Sequence, residues 1–132
     1  MDMTVSTEKA RVDVTLVHVH GNIDSSTYQA FEKSVEGLIG EGARYVLIDL
    51  SHVAFMSSAG LRALNSLFYK LRSLVQDRSE EEMKQGIREG TYHSAHLKLA
   101  GANKDVRQVL EISGFDMYLE NLPDVKTALA SF

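Results

Sequence analysis

The amino-acid sequence predicts a single α/β domain, in which about four helices pack against a mixed β-sheet of about four to five strands. The first reason is length, because 132 residues suffice for one hydrophobic core and are too few for two well-packed ones. The second is that short apolar runs alternate with segments whose apolar residues recur every three or four positions. Strand, helix and strand in that order predict parallel pairing through a right-handed crossover.

The N-terminal region contains two predicted strands. Residues 3–9 are short and are expected to form an edge strand. Apolar residues then alternate up to Leu16 and continue on the opposite parity at Val17 and Val19. This shift indicates either a strand that buries apolar residues on both faces or a bulge near Leu16. The Gly-Asn pair at 21–22 ends the strand.

The first helix is predicted after this strand. Asp24, Ser25 and Ser26 are candidate N-cap residues, because their side-chain oxygens can accept bonds from the first free N–H groups. The apolar stripe of this helix comprises Phe31, Val35, Leu38 and Ile39. Gly40 and Gly42 are expected to end it.

The central stretch of the chain is a buried strand followed by a helix. The run from Tyr45 to Leu50 is apolar without alternation, which is typical of a strand covered on both faces. After a polar break come Phe55, Met56 and two serines. One face of the next helix is then marked by Leu61, Leu64, Leu67, Phe68 and Leu71.

The serine pair lies at the entrance of this helix. A hydroxyl there can cap the helix by accepting a bond from a free backbone N–H. The same N–H groups and the helix dipole also favour an added anion. A phosphate on Ser58 would bring about −1.5 to −2 charges to this position at neutral pH. Local chemistry alone therefore leaves both a cap and a charge switch open.

Residues 76–96 form a polar insertion within the single domain, 1–132. The segment is rich in charged residues, and its sizeable apolar side chains are Met83, Ile87 and Tyr92. The spacing of Met83 and Ile87 permits a helical extension, but Gly86 and Gly90 oppose a stable one. We expect a solvated, mobile insertion rather than a dedicated partner-binding element.

The C-terminal region completes the alternating pattern. Leu97 to Leu99 is a predicted strand, and a helix with Val106, Val109, Leu110 and Ser113 on one face ends at Gly114. Tyr118 and Leu119 are expected to add a brief strand. Pro123 suits the first turn of a last helix. The inward residues of that helix are predicted to be Val125, Ala128, Leu129 and Phe132.

Three motifs together resemble the STAS domains of bacterial anti-sigma-factor antagonists. The run from Asp49 to Leu61 is similar to the family's D-(L/F)-S strand end, followed by V-x-(F/Y)-(M/I)-D-S-(S/A)-G-L. The run from Val17 to Thr27 is similar to its V-x-G-x-(L/I)-D opening. Residues 97–101 and 105–115 resemble its closing strand and the helix V-x-x-(V/I)-L-x-x-(T/S)-G-(L/F). The matches follow the family's order over nearly the whole chain.

The resemblance implies a partner-switching regulator without catalytic residues or a cofactor. The unmodified protein would bind an anti-sigma factor that is also a serine kinase of the histidine-kinase-like ATPase type, and so free a sigma factor. Phosphorylation of Ser58 would abolish that binding, and a metal-dependent PPM-type phosphatase would reverse it. The implied partner-binding residues are Asp24, Ser25, Met56, Ser57, Ser58, Ala59, Gly60, Leu61 and Arg62.

Two features depart from the family pattern. Ser57 replaces the usual Asp before the acceptor, which removes a carboxylate and adds a second hydroxyl, so Ser57 is the alternative acceptor. The frame set by Met56 and Gly60 favours Ser58. The longer 76–96 segment is the second departure. Both would also suit a STAS scaffold or a transporter accessory subunit that does not cycle phosphate, and a small-ligand sensor or minor enzyme is the other alternative.

Composition excludes several other functions. A net charge of −4 argues against direct nucleic-acid binding, and the chain lacks cysteine, which excludes disulfides and thiolate chemistry. No run approaches the ~20 apolar residues that span a membrane, and no signal peptide is apparent, so we expect a cytoplasmic protein, monomeric or weakly dimeric. Nucleotide-binding loops are absent, and neither Ser57 nor Ser58 lies in a serine-hydrolase motif of the form G-x-S-x-G or S-x-x-K.

Histidine and aspartate residues are weaker candidates for chemistry. The pairs His18 with His20 and His93 with His96 have spacings that metal ligands can have, but neither has a supporting acidic set, and we expect no metal site. His52 is expected to be an exposed loop residue. Asp24 is predicted to be a cap or, as the resemblance implies, part of a partner-facing loop close to the phosphorylation site. Asp49, at a strand end, is also predicted to neighbour that site.

Overall fold

The computed structural model describes residues 1–75, 80–89 and 93–132, in which a mixed five-stranded sheet carries helices on both faces. The strands are β1 (Asp2–Lys9), β2 (Asp13–His20), β3 (Val46–His52), β4 (Leu97–Ala100) and β5 (Asn121–Leu122). The α-helices are α1 (Tyr28–Gly40), α2 (Ser58–Val75), α3 (Glu80–Glu89), α4 (Lys104–Ser113) and α5 (Val125–Ser131). The predicted fold class is confirmed.

The sheet follows chain order, β1-β2-β3-β4-β5. β1 pairs antiparallel with β2, and the pairs β2–β3, β3–β4 and β4–β5 are parallel. The carboxyl ends of β2, β3 and β4 therefore meet at one edge of the sheet. The predicted edge strand is confirmed, because β1 is the first strand in the order.

The change of parity in β2 arises because both faces of the strand are buried. Val14 and Leu16 pack in one apolar cluster, and Val17 and Val19 pack in the other. The pairing of β2 with β1 runs in continuous register past Leu16, so the alternative of a bulge there is wrong. The one irregularity of β2 lies in its pairing with β3, between His18 and His20.

The larger core lies between the sheet and the helices α1 to α4. The stripe of α1 is confirmed by three fully buried side chains, Phe31, Val35 and Ile39. All five predicted core residues of α2 are buried as well. A helix α3 occupies residues 80–89, and Met83 has no exposed surface. The expectation of a solvated insertion is therefore wrong for these residues, because Met83 anchors the helix in the core; residues 76–79 and 90–92 lie outside the described residues.

The opposite face of the sheet is covered by α5. Ala128 of α5 belongs to one apolar cluster with Val14, Leu16, Leu47 and Ala100, and the predicted inward residues Val125, Leu129 and Phe132 pack against this cluster. Lys98 is 5% exposed, and its Nζ donates to the carbonyl oxygen of Ser131 at 2.9 Å and to its Oγ at 3.0 Å. A cation thus satisfies a carbonyl at the C-terminal end of the helix.

Two boundaries near the C-terminus differ from the prediction. The brief strand is Asn121–Leu122, because a short 3₁₀ helix, Phe115–Met117, takes up the chain before Tyr118 and Leu119. The last helix begins at Val125, after Pro123, since Asp124 is its N-cap and accepts a bond from the Thr127 N–H at 2.7 Å.

Candidate functional site

The serine pair lies at the N-terminus of the 18-residue helix α2. Ser58 is the first helical residue and is exposed. The carbonyl oxygen of Ser57 accepts the first helical bond, from the Leu61 N–H at 3.1 Å, so Ser57 occupies the N-cap position. The predicted placement of Ser58 at a helix entrance is correct.

The two hydroxyl groups have different environments. The Oγ of Ser57 is buried and has no hydrogen-bond partner among the described residues, so it does not cap the helix. A buried hydroxyl without a partner costs about 1–3 kcal/mol of desolvation. Ser58, in contrast, is open to solvent. The capping interpretation is therefore wrong for Ser57, and Ser58 is the more accessible of the two hydroxyl-bearing residues.

The entrance of α2 is held against the loop after β2 by a short parallel bridge between Ile23 and Met56. The Ile23 N–H donates to the Phe55 carbonyl at 3.1 Å, and the Ser57 N–H donates to the Ile23 carbonyl at 2.9 Å. Ile23 and Met56 are both buried. Two buried backbone hydrogen bonds therefore join the loop after β2 to the loop after β3, and each of these loops contains part of a STAS-like motif.

Asp24 organises the turn that precedes α1. Its Oδ1 accepts bonds from the backbone N–H of Ser26 at 2.9 Å and from the Ser26 hydroxyl at 2.7 Å. These bonds from Ser26 lower the pKa of the Asp24 carboxyl below its ordinary value. The prediction that Asp24 caps α1 is wrong, because the helix begins at Tyr28 and its N-cap is Thr27.

Only some of the predicted partner-binding residues are exposed at the entrance of α2. Ser25, Ser58 and Arg62 are exposed and Asp24 is partly exposed, whereas Ser57 is half-buried. The remaining predicted contacts are buried, namely Met56, Ala59, Gly60 and Leu61. Phe55 completes this surface with 50% of its area exposed. Sequence reasoning left Phe55 out of the partner contacts, although an aromatic residue close to the serine pair was a usable signal.

Asn103 connects this site to α4. Its Oδ1 accepts from the Val106 N–H at 2.8 Å and so caps α4. Its Nδ2 donates to the carbonyl oxygens of Val53 at 3.3 Å and Ala54 at 3.2 Å. No local pattern in the sequence signals this contact, since its partners lie about fifty positions apart.

Asp49 does not belong to the surface around Ser58. Strand alternation places it on the same sheet face as Leu47, which packs towards α5 and away from α2. Its Oδ2 lies 2.6 Å from Nδ1 of His18, and its Oδ1 accepts from the Ser51 N–H at 3.0 Å. Burial raises the pKa of this carboxyl, but the bonds from Ser51 and His18 outweigh burial and lower it overall. The predicted proximity of Asp49 to the serines is wrong.

His52 is the last residue of β3, and its ring lies 4.7 Å from that of His20 between centroids. It is exposed, as expected, but it belongs to the strand and not to the loop in which it was predicted. In residues 1–75, 80–89 and 93–132, no group of three or more side chains is arranged to hold a metal ion. Over the same ranges, none of the helices combines the length and apolar character that crossing a membrane requires.

Comparison with known proteins identifies the fold. The sequence profile of the STAS domain matches residues 6–75. A crystal structure of an anti-sigma factor antagonist from Mycobacterium paratuberculosis is similar, with a TM-score of 0.69 and 22% identity over 98% of this chain and 93% of that one. SpoIIAA in its unphosphorylated form matches with a TM-score of 0.66 and 14% identity, covering 96% of this chain and 93% of that one. Phosphorylated SpoIIAA from Bacillus matches with a TM-score of 0.61 and 13% identity, over 96% of each chain.

These likenesses establish the α/β fold of the anti-sigma factor antagonists. The profile match covers more than half of the chain, and the protein therefore belongs to the STAS domain family. A comparison with curated proteins finds no significant match.

Proposed function

We propose that this protein is an anti-sigma-factor antagonist whose binding to its partner is switched by phosphorylation of Ser58. In its unmodified form it binds an anti-sigma factor that is also a serine kinase, and so frees a sigma factor for transcription. It acts in the cytoplasm by protein–protein contact and not by catalysis. A PPM-type serine phosphatase returns it to the binding form.

The observation that carries the proposal is the exposure of Ser58 as the first residue of α2. A kinase must reach the acceptor hydroxyl, and a partner must dock over the same position for the modification to matter. Ser57 meets neither condition, because its Oγ is buried. This contrast supports Ser58, and not Ser57, as the phosphate acceptor.

Phosphorylation would act locally. The free N–H groups at the start of α2 and the helix dipole tolerate a negative charge, so the fold itself need not change. The added charge and bulk would come at the start of α2, three residues after the exposed Phe55, within the surface that we assign to the partner. Burying a doubly charged phosphate against an apolar contact is costly, so docking is lost.

Arg62 is placed to respond to the phosphate. It is exposed one turn into α2, four residues after Ser58, and residues at this spacing share one helix face. A guanidinium there can pair with a phosphate on Ser58 or with an acidic group on the partner. We therefore assign Arg62, Ser25, Phe55 and Asp24 to the partner-docking surface with Ser58.

The test is phosphosite mapping after incubation with ATP and a panel of purified anti-sigma-factor serine kinases. We expect one phosphate on Ser58 of the wild type, none on Ser58→Ala, and retained modification of Ser57→Ala. Absence of phosphate on the wild type with every kinase, or modification at Ser57 alone, would contradict the proposal.

A further inference from the structure

The side chain of Asn103 joins two segments of chain through both ends of its amide group. Its Oδ1 faces a donor, the Val106 N–H, and its Nδ2 faces two acceptors, the carbonyl oxygens of Val53 and Ala54. A donor on one side and two acceptors on the other fix which end of the amide points where. Both ends of the Asn103 amide group, the acceptor and the donor, therefore have hydrogen-bond partners of the right kind.

The segment that Asn103 holds is the loop between β3 and α2, residues 53–57. Val53 and Met56 are buried in the core, whereas Phe55 is half exposed between them. The loop is held on its other side by the bonds between Ile23, Phe55 and Ser57. Asn103 and Ile23 thus hold the loop from opposite ends, and its direction determines where Phe55 and Ser58 face.

We propose that Asn103 is a positioning residue of the partner-docking surface, which acts by holding the loop 53–57 through its two Nδ2 bonds. The inference rests on the proposed function, because the position of the loop affects binding only if the partner docks at Phe55 and Ser58. It extends that function because it gives a residue at the N-terminus of α4 a role in binding the partner. Asn103 itself need not touch the partner.

Substitutions at 103 separate this role from capping of α4. Asp keeps the acceptor for Val106 and loses both donors, and its second oxygen then faces two carbonyl oxygens. Ser also keeps a capping oxygen but is too short to reach the loop. Ala removes both functions. Asn121→Asp is the charge control, because its Oδ1 accepts a bond from the Ala102 N–H, a contact that Asp can keep.

The experiment combines amide hydrogen exchange with partner affinity. We expect Asn103→Asp and Asn103→Ser to keep the protection of the Val106 amide and Asn103→Ala to lose it. The Ile23 and Ser57 amides, which form the bridge to the loop, should exchange about threefold to tenfold faster in all three variants. Affinity for the anti-sigma-factor kinase that phosphorylates the wild type should fall by a similar factor. Asn121→Asp should match the wild type in both measurements.

Unchanged exchange at Ile23 and Ser57 in Asn103→Asp and Asn103→Ser would overturn the inference, as would unchanged affinity in these variants. If Asn103→Ala lost amide protection only in α4, Asn103 would act only as the cap of that helix, and the inference would also be overturned. If no kinase of the panel binds the wild type, the proposed function fails and the positioning role fails with it. The exchange data would still show whether Asn103 holds the loop.

Discussion

Gly60, in the first turn of α2, lies directly against Ile23 of the preceding loop. A Cβ on Gly60 would come within 2.9 Å of both the carbonyl oxygen and Cγ2 of Ile23, and within 2.8 Å of Cγ of Met56. The carbonyl oxygen of Ile23 is already fixed by the Ser57 N–H. The absence of a side chain at Gly60 is thus what allows α2 to begin in close contact with the bridge between Ile23 and Met56.

The first prediction concerns this contact. Gly60→Ala should destabilise the protein by up to about 2 kcal/mol net, because the new methyl group overpacks a buried backbone contact at a cost of about 1–3 kcal/mol. The gain in helix propensity, about 1 kcal/mol, offsets only part of this cost. Urea unfolding gives the free energy directly.

Gly37→Ala is the matched control for Gly60→Ala. Gly37 lies within α1, and a Cβ there would meet nothing within 4 Å. Its replacement should stabilise the protein by up to about 1 kcal/mol through helix propensity alone. If both variants change stability in the same direction, the close approach at Gly60 does not constrain α2.

The second prediction concerns the pH dependence of stability at Asp49. The bonds from Ser51 and His18 lower its pKa in the folded state despite the opposing effect of burial. A carboxyl with a lowered folded pKa adds stability above its unfolded pKa of about 3.9, and this stability is lost as pH falls through the folded value. Asp49→Asn should therefore be less stable than the wild type at pH 7, and the difference should narrow below about pH 4.

The comparison must be made between variants, because Asp24 and Asp124 also have lowered pKa values and titrate in the same range. Subtracting the stability profile of the Asp49→Asn variant from that of the wild type removes their contribution. A difference that stays constant from about pH 7 to 3 would show that the ionised carboxylate of Asp49 adds nothing to stability.

The third prediction tests the role of α3. Met83 has no exposed surface, so Met83→Ala should cost about 2–5 kcal/mol through lost burial and the cavity left behind. Exposed Glu81→Ala on the same helix should stay within about 0.5 kcal/mol of the wild type. Equal unfolding midpoints for the two variants would mean that α3 does not anchor in the core.

Local periodicity predicted those parts of the fold whose burial follows one repeating pattern. The stripes of α1 and α2 and the two-sided burial around Leu16 are visible in the sequence because each residue's neighbours along the chain determine its face. α3 was not predicted as a packed helix because only Met83 and, in part, Ile87 carry sizeable side chains into the core, and the helix is otherwise polar and contains Gly86. Tertiary burial there overrides weak propensity.

The candidate site was predictable in position and less so in its contacts. The helix stripe and the serine pair were sufficient to predict Ser58 at the start of α2. The Asn103 bonds to the loop and the pairing of His18 with Asp49 depend on residues about fifty and thirty-one positions apart. Such contacts follow from sheet register and loop direction, which no local pattern specifies.

The most direct test of the account is the affinity of the anti-sigma-factor kinase for unmodified and Ser58-phosphorylated protein, measured by isothermal titration calorimetry with Ser57→Ala as the control. We predict that phosphorylation or Ser58→Asp weakens binding by at least about tenfold, or 1.4 kcal/mol, whereas Ser57→Ala binds like the wild type. Equal affinity of the kinase for the unmodified and phosphorylated forms would contradict the account.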